Sequence, residues 1–161
     1  MIVKNIIDTD YINFKTPSMF ISTARCNWKC CIEAHIPIET CQNNSIASMP
    51  DILISADEIL RRYLSNPLSH SVVFGGLEPM LQFEDVLMVI ERFRACGVDD
   101  PFVIYTGYTE VEVTDKISFL PQFAPIIVKF GRYVPNDQPH FDEVLGVTLV
   151  SQNQYAKPIK L

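Results

Sequence analysis

The sequence lacks the features that mark membrane-spanning, nucleic-acid-binding and fibrous proteins. Its apolar runs all fall short of the roughly 18 residues that a membrane span needs. Lysine and arginine number 13 against 19 aspartate and glutamate residues, and the net charge of −6 disfavours a nucleic-acid partner, whose phosphates require a dense basic footprint. Internal repeats and low-complexity tracts are also absent. With 48% hydrophobic and 20% charged residues, the chain has the composition of an acidic globular protein.

The first residues also lack the apolar stretch of a secretion signal, because Asp8 and Asp10 interrupt it. We therefore expect a cytoplasmic protein. In that reducing compartment, clustered cysteines more often bind metal or carry out chemistry than form disulfides. Four of the five cysteines lie in one short stretch, at Cys26, Cys30, Cys31 and Cys41.

The chain length limits the fold. A complete eight-stranded α/β barrel takes roughly 250 residues, whereas this chain has 161. Apolar, β-branched and aromatic runs predict buried strands at Met19–Ile21, Ser71–Phe74, Phe102–Tyr105 and Ile126–Phe130. The repeated order of strand, glycine-containing turn and helix indicates βαβ units. The predicted fold class is therefore α/β, a single domain over residues 1–161 with a mostly parallel, truncated sheet.

Two helices are predicted between these strands. Ser55 and Glu58 have the spacing of a capping box, which opens a helix towards Leu64. The second helix has apolar residues at three- and four-residue spacing over residues 83–93, and Gly97 is placed to end it.

The remaining segments carry weaker patterns. The stretch 32–50 is predicted to be a loop, since Pro37 and Pro50 disfavour regular structure. A short helix is predicted over residues 110–118. A last strand is predicted over residues 144–150.

The segments that follow the predicted strands carry most of the polar chemistry. In parallel sheets, ligands bind beyond the carboxyl ends of the strands. The segments at those ends are Arg25–Cys26, Gly75–Pro79, Thr106–Tyr108 and Gly131–Tyr133. We therefore expect the thiols and the two-glycine turn to be neighbours at one edge of the sheet.

The clustered thiols suit zinc or iron–sulfur chemistry. Structural zinc usually takes two pairs of ligands, but the second Cys or His pair is missing and His35 is the only nearby histidine. A zinc site made by four thiolates remains an alternative. A disulfide or an inert group of buried thiols is another.

Two motifs in this order resemble the radical S-adenosylmethionine superfamily: Cys26 and Cys30 after a strand, and the turn Gly75–Pro79 after a later one. Within that superfamily, three further segments are similar to the activating proteins of anaerobic ribonucleoside-triphosphate reductases. They are Tyr105–Glu110, Val128–Arg132 and Ser151–Gln154. The similarity covers residues 19–159.

The resemblance implies a partial radical S-adenosylmethionine (β/α) barrel and a specific chemistry. Three thiolates would hold a [4Fe–4S] cluster, whose open iron chelates S-adenosylmethionine. Reductive cleavage would give a 5′-deoxyadenosyl radical that takes a hydrogen from a glycine of a partner, such as the large subunit of anaerobic ribonucleotide reductase. The implied setting is anaerobic, with an electron donor such as flavodoxin. Cofactor binding is implied for Gly75, Gly76, Glu78, Tyr105 and Thr106.

The family's third cysteine would fall at position 33, which is Glu33 here. Adjacent side chains such as those of Cys30 and Cys31 tend to diverge, whereas Cys41 follows a loop long enough to fold back. We therefore predict the ligands Cys26, Cys30 and Cys41, with Cys31 as the alternative third ligand. Ligation by the carboxylate of Glu33 is a further alternative.

The turn also departs from the family pattern, because Leu77 is inserted before Glu78. The carboxylate of Glu78 would accept a hydrogen bond from the ammonium group of S-adenosylmethionine; the alternative is a helix-capping carboxylate. Tyr105 has an alternative role as a core residue. Lys129 and Arg132 are interpreted as solvated surface charges, with a carboxylate of the cofactor or partner as the alternative.

Two other functions compete with glycyl radical activation. One keeps the radical chemistry but acts on a small molecule, as compact 7-carboxy-7-deazaguanine synthases do. The other is a zinc-stabilised binding module without catalysis. The small size of the chain favours a macromolecular substrate that would complete the active site.

Overall fold

The computed structural model describes residues 1–160. The strands are β1 (Ile2–Asp10), β2 (Ser18–Thr23), β3 (Ile52–Leu53), β4 (Val72–Gly76), β5 (Phe102–Tyr105), β6 (Ile126–Phe130), β7 (His140–Asp142), β8 (Val147–Leu149) and β9 (Tyr155–Ile159). The α-helices are α1 (Lys29–Ala34), α2 (Asn44–Ala47), α3 (Ala56–Leu64), α4 (Phe83–Ala95) and α5 (Thr114–Ile117).

The main sheet has seven strands in the order β3-β1-β2-β4-β5-β6-β9. Its central strands β2, β4, β5 and β6 pair in parallel, while β1, β3 and β9 add antiparallel edges. The prediction of an α/β fold with a mostly parallel sheet is thus confirmed. The architecture is consistent with the partial barrel that the resemblance implies.

Alternate residues of the central strands face two different cores. Ile21, Phe74 and Ile104 belong to the larger core, which also contains buried residues of α3 and α4. On the opposite, inner face, Phe20, Val73 and Val103 form a smaller core that also includes Phe14, Leu145 and Leu149. A hairpin of β7 and β8 and the segment after β1 therefore cover part of the inner face.

The helix boundaries follow the sequence signals closely. The Ser55 hydroxyl accepts a 3.1 Å hydrogen bond from the Glu58 amide, which caps α3. The reciprocal half of the capping box is not formed, because the Glu58 carboxylate pairs with Arg61 instead. Gly97, with φ of 75°, follows the end of α4 as predicted. None of the helices over residues 1–160 is long and apolar enough to cross a membrane.

Three segment predictions need correction. The stretch 32–50 is not a plain loop, because local hydrogen bonds such as Ala47 N–H to Asn43 O close α2 and a 3₁₀ turn at Ile38–Thr40. The predicted helix 110–118 is a 3₁₀ turn at Val111–Val113 followed by α5.

The last correction concerns the carboxyl-terminal strands. Only Val147–Leu149 of the predicted strand 144–150 is extended, and it pairs with β7 outside the main sheet. The last strand of the main sheet is β9, which the sequence pattern does not reveal. As an edge strand with exposed Tyr155, Lys157 and Pro158, it lacks the apolar run of a buried strand.

Candidate functional site

A cavity of about 500 Å³ opens at the carboxyl ends of the parallel strands and extends along the inner face of the sheet. Residues from the four predicted strand-end segments line it, including Cys26, Gly75, Glu78, Thr106 and Gly131. The expectation that the thiols and the two-glycine turn are neighbours is therefore confirmed.

All four clustered cysteines line this cavity: Cys26, Cys30, Cys31 and Cys41. Cys31 is the most buried, at 2% exposure, and the other three are partly buried. Burial raises the pKa of the Cys31 thiol, and its contact with the Cys41 thiol raises that pKa further. Cys96, at the end of α4, is exposed and does not line the cavity.

The backbone around the cysteines directs N–H groups at sulfur. Trp28 has φ of 58° in the left-handed region, which is strained for a residue with a side chain by about 1–3 kcal/mol. Its amide donates to Sγ of Cys26 at 3.3 Å, and α1 begins at the next residue. The Asn43 amide donates to Sγ of Cys41 at 3.4 Å. These contacts fix two of the sulfur atoms where N–H donors can stabilise negative charge.

Burial disfavours the charged form of two of the thiols that line the cavity, Cys26 and Cys30. Burial raises the pKa of Cys26 to about 11, against a smaller opposite effect of the Trp28 amide. Burial also raises the pKa of Cys30, and the Tyr133 amide and the Arg132 guanidinium act in the opposite direction. Metal binding must therefore displace protons from these groups.

Glu78 is 7% exposed, and three donors hold its carboxylate. Oε1 accepts from the Thr106 hydroxyl at 2.7 Å and from the Met80 amide at 3.0 Å, while Oε2 accepts from the Gly107 amide at 2.8 Å. Burial raises the pKa of Glu78, and these hydrogen bonds lower it. The contact with Met80 caps the 3₁₀ turn Pro79–Gln82, so the capping alternative is present alongside the position in the cavity.

Gly107 lies close to both the Cys30 thiol and Glu78 of the two-glycine turn. A Cβ atom at this position would lie 3.1 Å from Sγ of Cys30 and 3.5 Å from Oε2 of Glu78. The cysteine, the carboxylate and the backbone after β5 are therefore in one small volume, although they are far apart in sequence.

The two-glycine turn is required by the close approach of β2. A Cβ at Gly75 would lie 2.9 Å from the Phe20 ring, and one at Gly76 would lie 2.8 Å from Cβ of Ser22. Gly76 also has φ of 76°, which favours glycine. Both glycines line the cavity with the inserted Leu77.

Lys129 is buried, so its interpretation as a solvated surface charge is wrong. The residue is 6% exposed, and its Nζ donates to the Gly131 carbonyl at 2.9 Å. Burial lowers its pKa to about 8, while the nearby Cys30 and Glu78 act to raise it. Among the hydrogen bonds of residues 1–160, Nζ has no carboxylate partner. The strand β6 thus places a buried cationic group in the cavity.

Tyr105 lines the cavity and also packs in the inner core. Its hydroxyl donates to the Asn13 carbonyl at 2.6 Å, so the polar end is satisfied within the protein. Thr106, beside it, is 1% exposed.

The cysteine set fits an iron–sulfur cluster. No group of three or more Cys, His, Asp or Glu side chains in residues 1–160 is arranged around one point as the ligands of a single ion. In a [4Fe–4S] cluster each thiolate binds a different iron atom, so its ligands are farther apart than those of zinc. Four thiols that line one cavity and N–H donors at two of the sulfurs match that donor set.

The largely parallel α/β fold and the family match define a 4Fe–4S domain of the radical S-adenosylmethionine type. The chain belongs to the 4Fe-4S single cluster domain family, whose model matches residues 19–148. No curated protein and no solved structure matches the chain.

The ion pair between Arg132 and Glu112 was not predicted from the sequence. Arg132 is not a solvated charge, because its side chain is 11% exposed and pairs with Glu112. Glu112 lies 20 residues away in a 3₁₀ turn, so no local spacing could have revealed the pair.

Proposed function

We propose that this protein is a radical S-adenosylmethionine activating enzyme that generates a glycyl radical on a partner enzyme such as anaerobic ribonucleotide reductase. The observation that carries the proposal is the junction at Gly107, where a Cβ would lie 3.1 Å from the Cys30 sulfur and 3.5 Å from the Glu78 carboxylate. S-adenosylmethionine would have to reach both the iron–sulfur cluster and Glu78, which requires the two to lie close together. Membership of a 4Fe-4S family supports the cluster.

Cys26, Cys30 and Cys41 are the proposed cluster ligands, with Cys31 as the alternative to Cys41. When bound, the cluster supplies the electron that cleaves S-adenosylmethionine into methionine and a 5′-deoxyadenosyl radical. The protein's part is to hold the thiolates with directed N–H donors and to exclude most of the solvent around them.

The residues opposite the cysteines suit the methionyl end of S-adenosylmethionine, which carries an ammonium and a carboxylate. Glu78, with Thr106 and Gly107 fixing its orientation, would accept from the ammonium. Lys129 would attract the carboxylate, since within the described residues 1–160 its buried ammonium has only a carbonyl partner. Gly75 and Gly76 would allow the cofactor to approach the backbone closely.

The target glycine would come from another protein. The chemistry that the bound cofactor would supply is removal of a hydrogen atom from the glycine Cα, with 5′-deoxyadenosine and a glycyl radical as the products. The β7–β8 hairpin already covers part of the inner face, so the partner needs only to cover the mouth of the cavity. A flavodoxin-like donor is proposed as the source of the electron.

The test is anaerobic reconstitution with iron and sulfide, followed by reduction in the presence of S-adenosylmethionine. We expect a brown protein that forms 5′-deoxyadenosine, and a Cys26→Ser variant that does not. Cys96→Ser is the matched control, because Cys96 is outside the cavity. A colourless protein with one bound zinc would overturn the proposal.

A second measurement addresses the partner. The reduced protein is mixed with an anaerobic ribonucleotide reductase large subunit and examined by electron paramagnetic resonance for a glycyl radical. Formation of 5′-deoxyadenosine without that radical, but with turnover of a purine-like small molecule, would favour the small-molecule alternative.

A further inference from the structure

A group of four charged residues lies close to Cys30 and includes two residues of its helix, Lys29 and Glu33. Arg132 binds Glu112 through two parallel contacts, Nη1 to Oε2 at 2.8 Å and Nη2 to Oε1 at 2.6 Å. Nε of Arg132 lies 2.6 Å from Oε2 of Glu33, and Lys29 pairs with Glu112. We call these four residues the ion clamp.

The ion clamp connects three separate segments of the chain. Lys29 and Glu33 are on α1, the helix that contains Cys30 and Cys31. Glu112 is in the turn after β5, and Arg132 follows β6. Nη1 of Arg132 also donates to the Gly107 carbonyl at 3.3 Å. The clamp therefore ties the cysteine-bearing helix to the two strand ends that line the cavity.

The central cation of the clamp is close to a proposed cluster ligand. Nη1 of Arg132 donates to the carbonyl of Gly107, and a Cβ at Gly107 would lie 3.1 Å from Sγ of Cys30. The Arg132 side chain is 11% exposed, so water screens this charge poorly. Nε is buried, and its N–H is not aligned with any acceptor among residues 1–160. A fixed positive charge thus faces the sulfur from a partly desolvated position.

We propose that Arg132 is a positioning residue that sets the reduction potential of the cluster bound through Cys30, and that Glu112 opposes its effect. Reduction adds negative charge to a cluster, so a nearby cation favours the reduced state and a nearby carboxylate disfavours it. This inference rests on the proposed function only in requiring that the cysteine loop, residues 26–41, binds a cluster.

The test compares the midpoint potentials of reconstituted variants without S-adenosylmethionine, by titration monitored with electron paramagnetic resonance. We expect Arg132→Gln to lower the potential and Glu112→Gln to raise it. Arg132→Lys keeps the charge and should stay closer to the unmodified protein than Arg132→Gln. Arg61→Gln is the matched control, because Arg61 is an exposed cation on α3 paired with Glu58. The midpoint potential of the cluster in this variant should be unchanged.

The opposite signs distinguish charge from structure. Loss of the clamp as a structural element would affect the Arg132 and Glu112 variants in the same direction, and that result would overturn the inference. If Arg132→Gln fails to retain iron, Arg132→Lys and Glu112→Gln still decide, since an unshifted Glu112→Gln overturns it. An unmodified protein that takes up no iron would instead overturn the proposed function itself.

Discussion

The Thr106 hydroxyl donates a 2.7 Å hydrogen bond to Oε1 of Glu78, and both side chains are buried. The bond joins the turn after β4 to the end of β5. It also orients the carboxylate so that Oε2 remains near Gly107 and Cys30. The geometry of the acidic turn therefore depends on a residue from the neighbouring strand.

Thr106→Val should weaken binding of S-adenosylmethionine. The substitution removes a donor that lowers the pKa of Glu78 and orients it. A hydrogen bond to a charged group contributes about 1.5–3 kcal/mol, so the dissociation constant should rise by roughly tenfold or more. Equilibrium dialysis of reconstituted protein measures this change. Thr114→Val, on α5, is the control, and equal affinities for the two variants would contradict the prediction.

Gly107→Ala should reduce cluster retention. The new Cβ would lie 3.1 Å from Sγ of Cys30, so the thiol must move. We expect a lower iron and sulfide content per chain after reconstitution. Gly97→Ala is the control, because a Cβ there meets nothing within 4 Å, although its φ of +75° makes it a strained site for alanine. Full iron content in Gly107→Ala would show that Cys30 is not held at this junction.

Separate serine substitutions should distinguish the third ligand. We expect Cys41→Ser to abolish the visible absorption of the reconstituted cluster and Cys31→Ser to retain most of it. The reason is that Cys31 and Cys30 are adjacent on α1, whereas Cys41 approaches the cavity from a different segment. The reverse result would assign Cys31 as the ligand.

Glu112→Gln should lower stability at neutral pH, and by less in acid. Hydrogen bonds from Arg132 hold the pKa of Glu112 far below its ordinary value of 4.5. A depressed folded-state pKa contributes stability that is fully present above the unfolded-state pKa and is lost progressively as the pH falls from there through the folded-state pKa. We expect a difference of about 1 kcal/mol at pH 7. Urea unfolding of the cluster-free chain at pH 7 and pH 3.5 measures it, and a difference that grows in acid would contradict the assignment.

The parallel core was predictable because its strands are short apolar runs bounded by glycine. Phe74 and Ile104 are fully buried, and their apolar side chains are the residue types expected of buried strand positions. Once the strands are parallel, topology brings their carboxyl ends together, which is why the cysteines and Glu78 could be placed at one edge.

The surroundings of Lys129 and Arg132 depend on contacts between distant segments, which the residue types alone do not reveal. Lys129 is buried because β9 pairs with β6. It is also buried because Gln154 packs beside Gly131, so closely that a Cβ at Gly131 would collide with the Asn153 carbonyl. Neither packing contact has a local signature. The pair of Arg132 with Glu112 likewise forms only after two strand ends meet.

The β7–β8 hairpin has a consequence for how the protein can be used. A complete barrel shields the inner face of its strands from solvent by closing on itself. Here Leu145 and Leu149, from the same short chain, cover part of that inner face instead. We therefore expect the folded core to be stable without a partner. Under the proposed function, the protein would then be able to bind its target, release it and bind another, so that one copy would serve many target molecules.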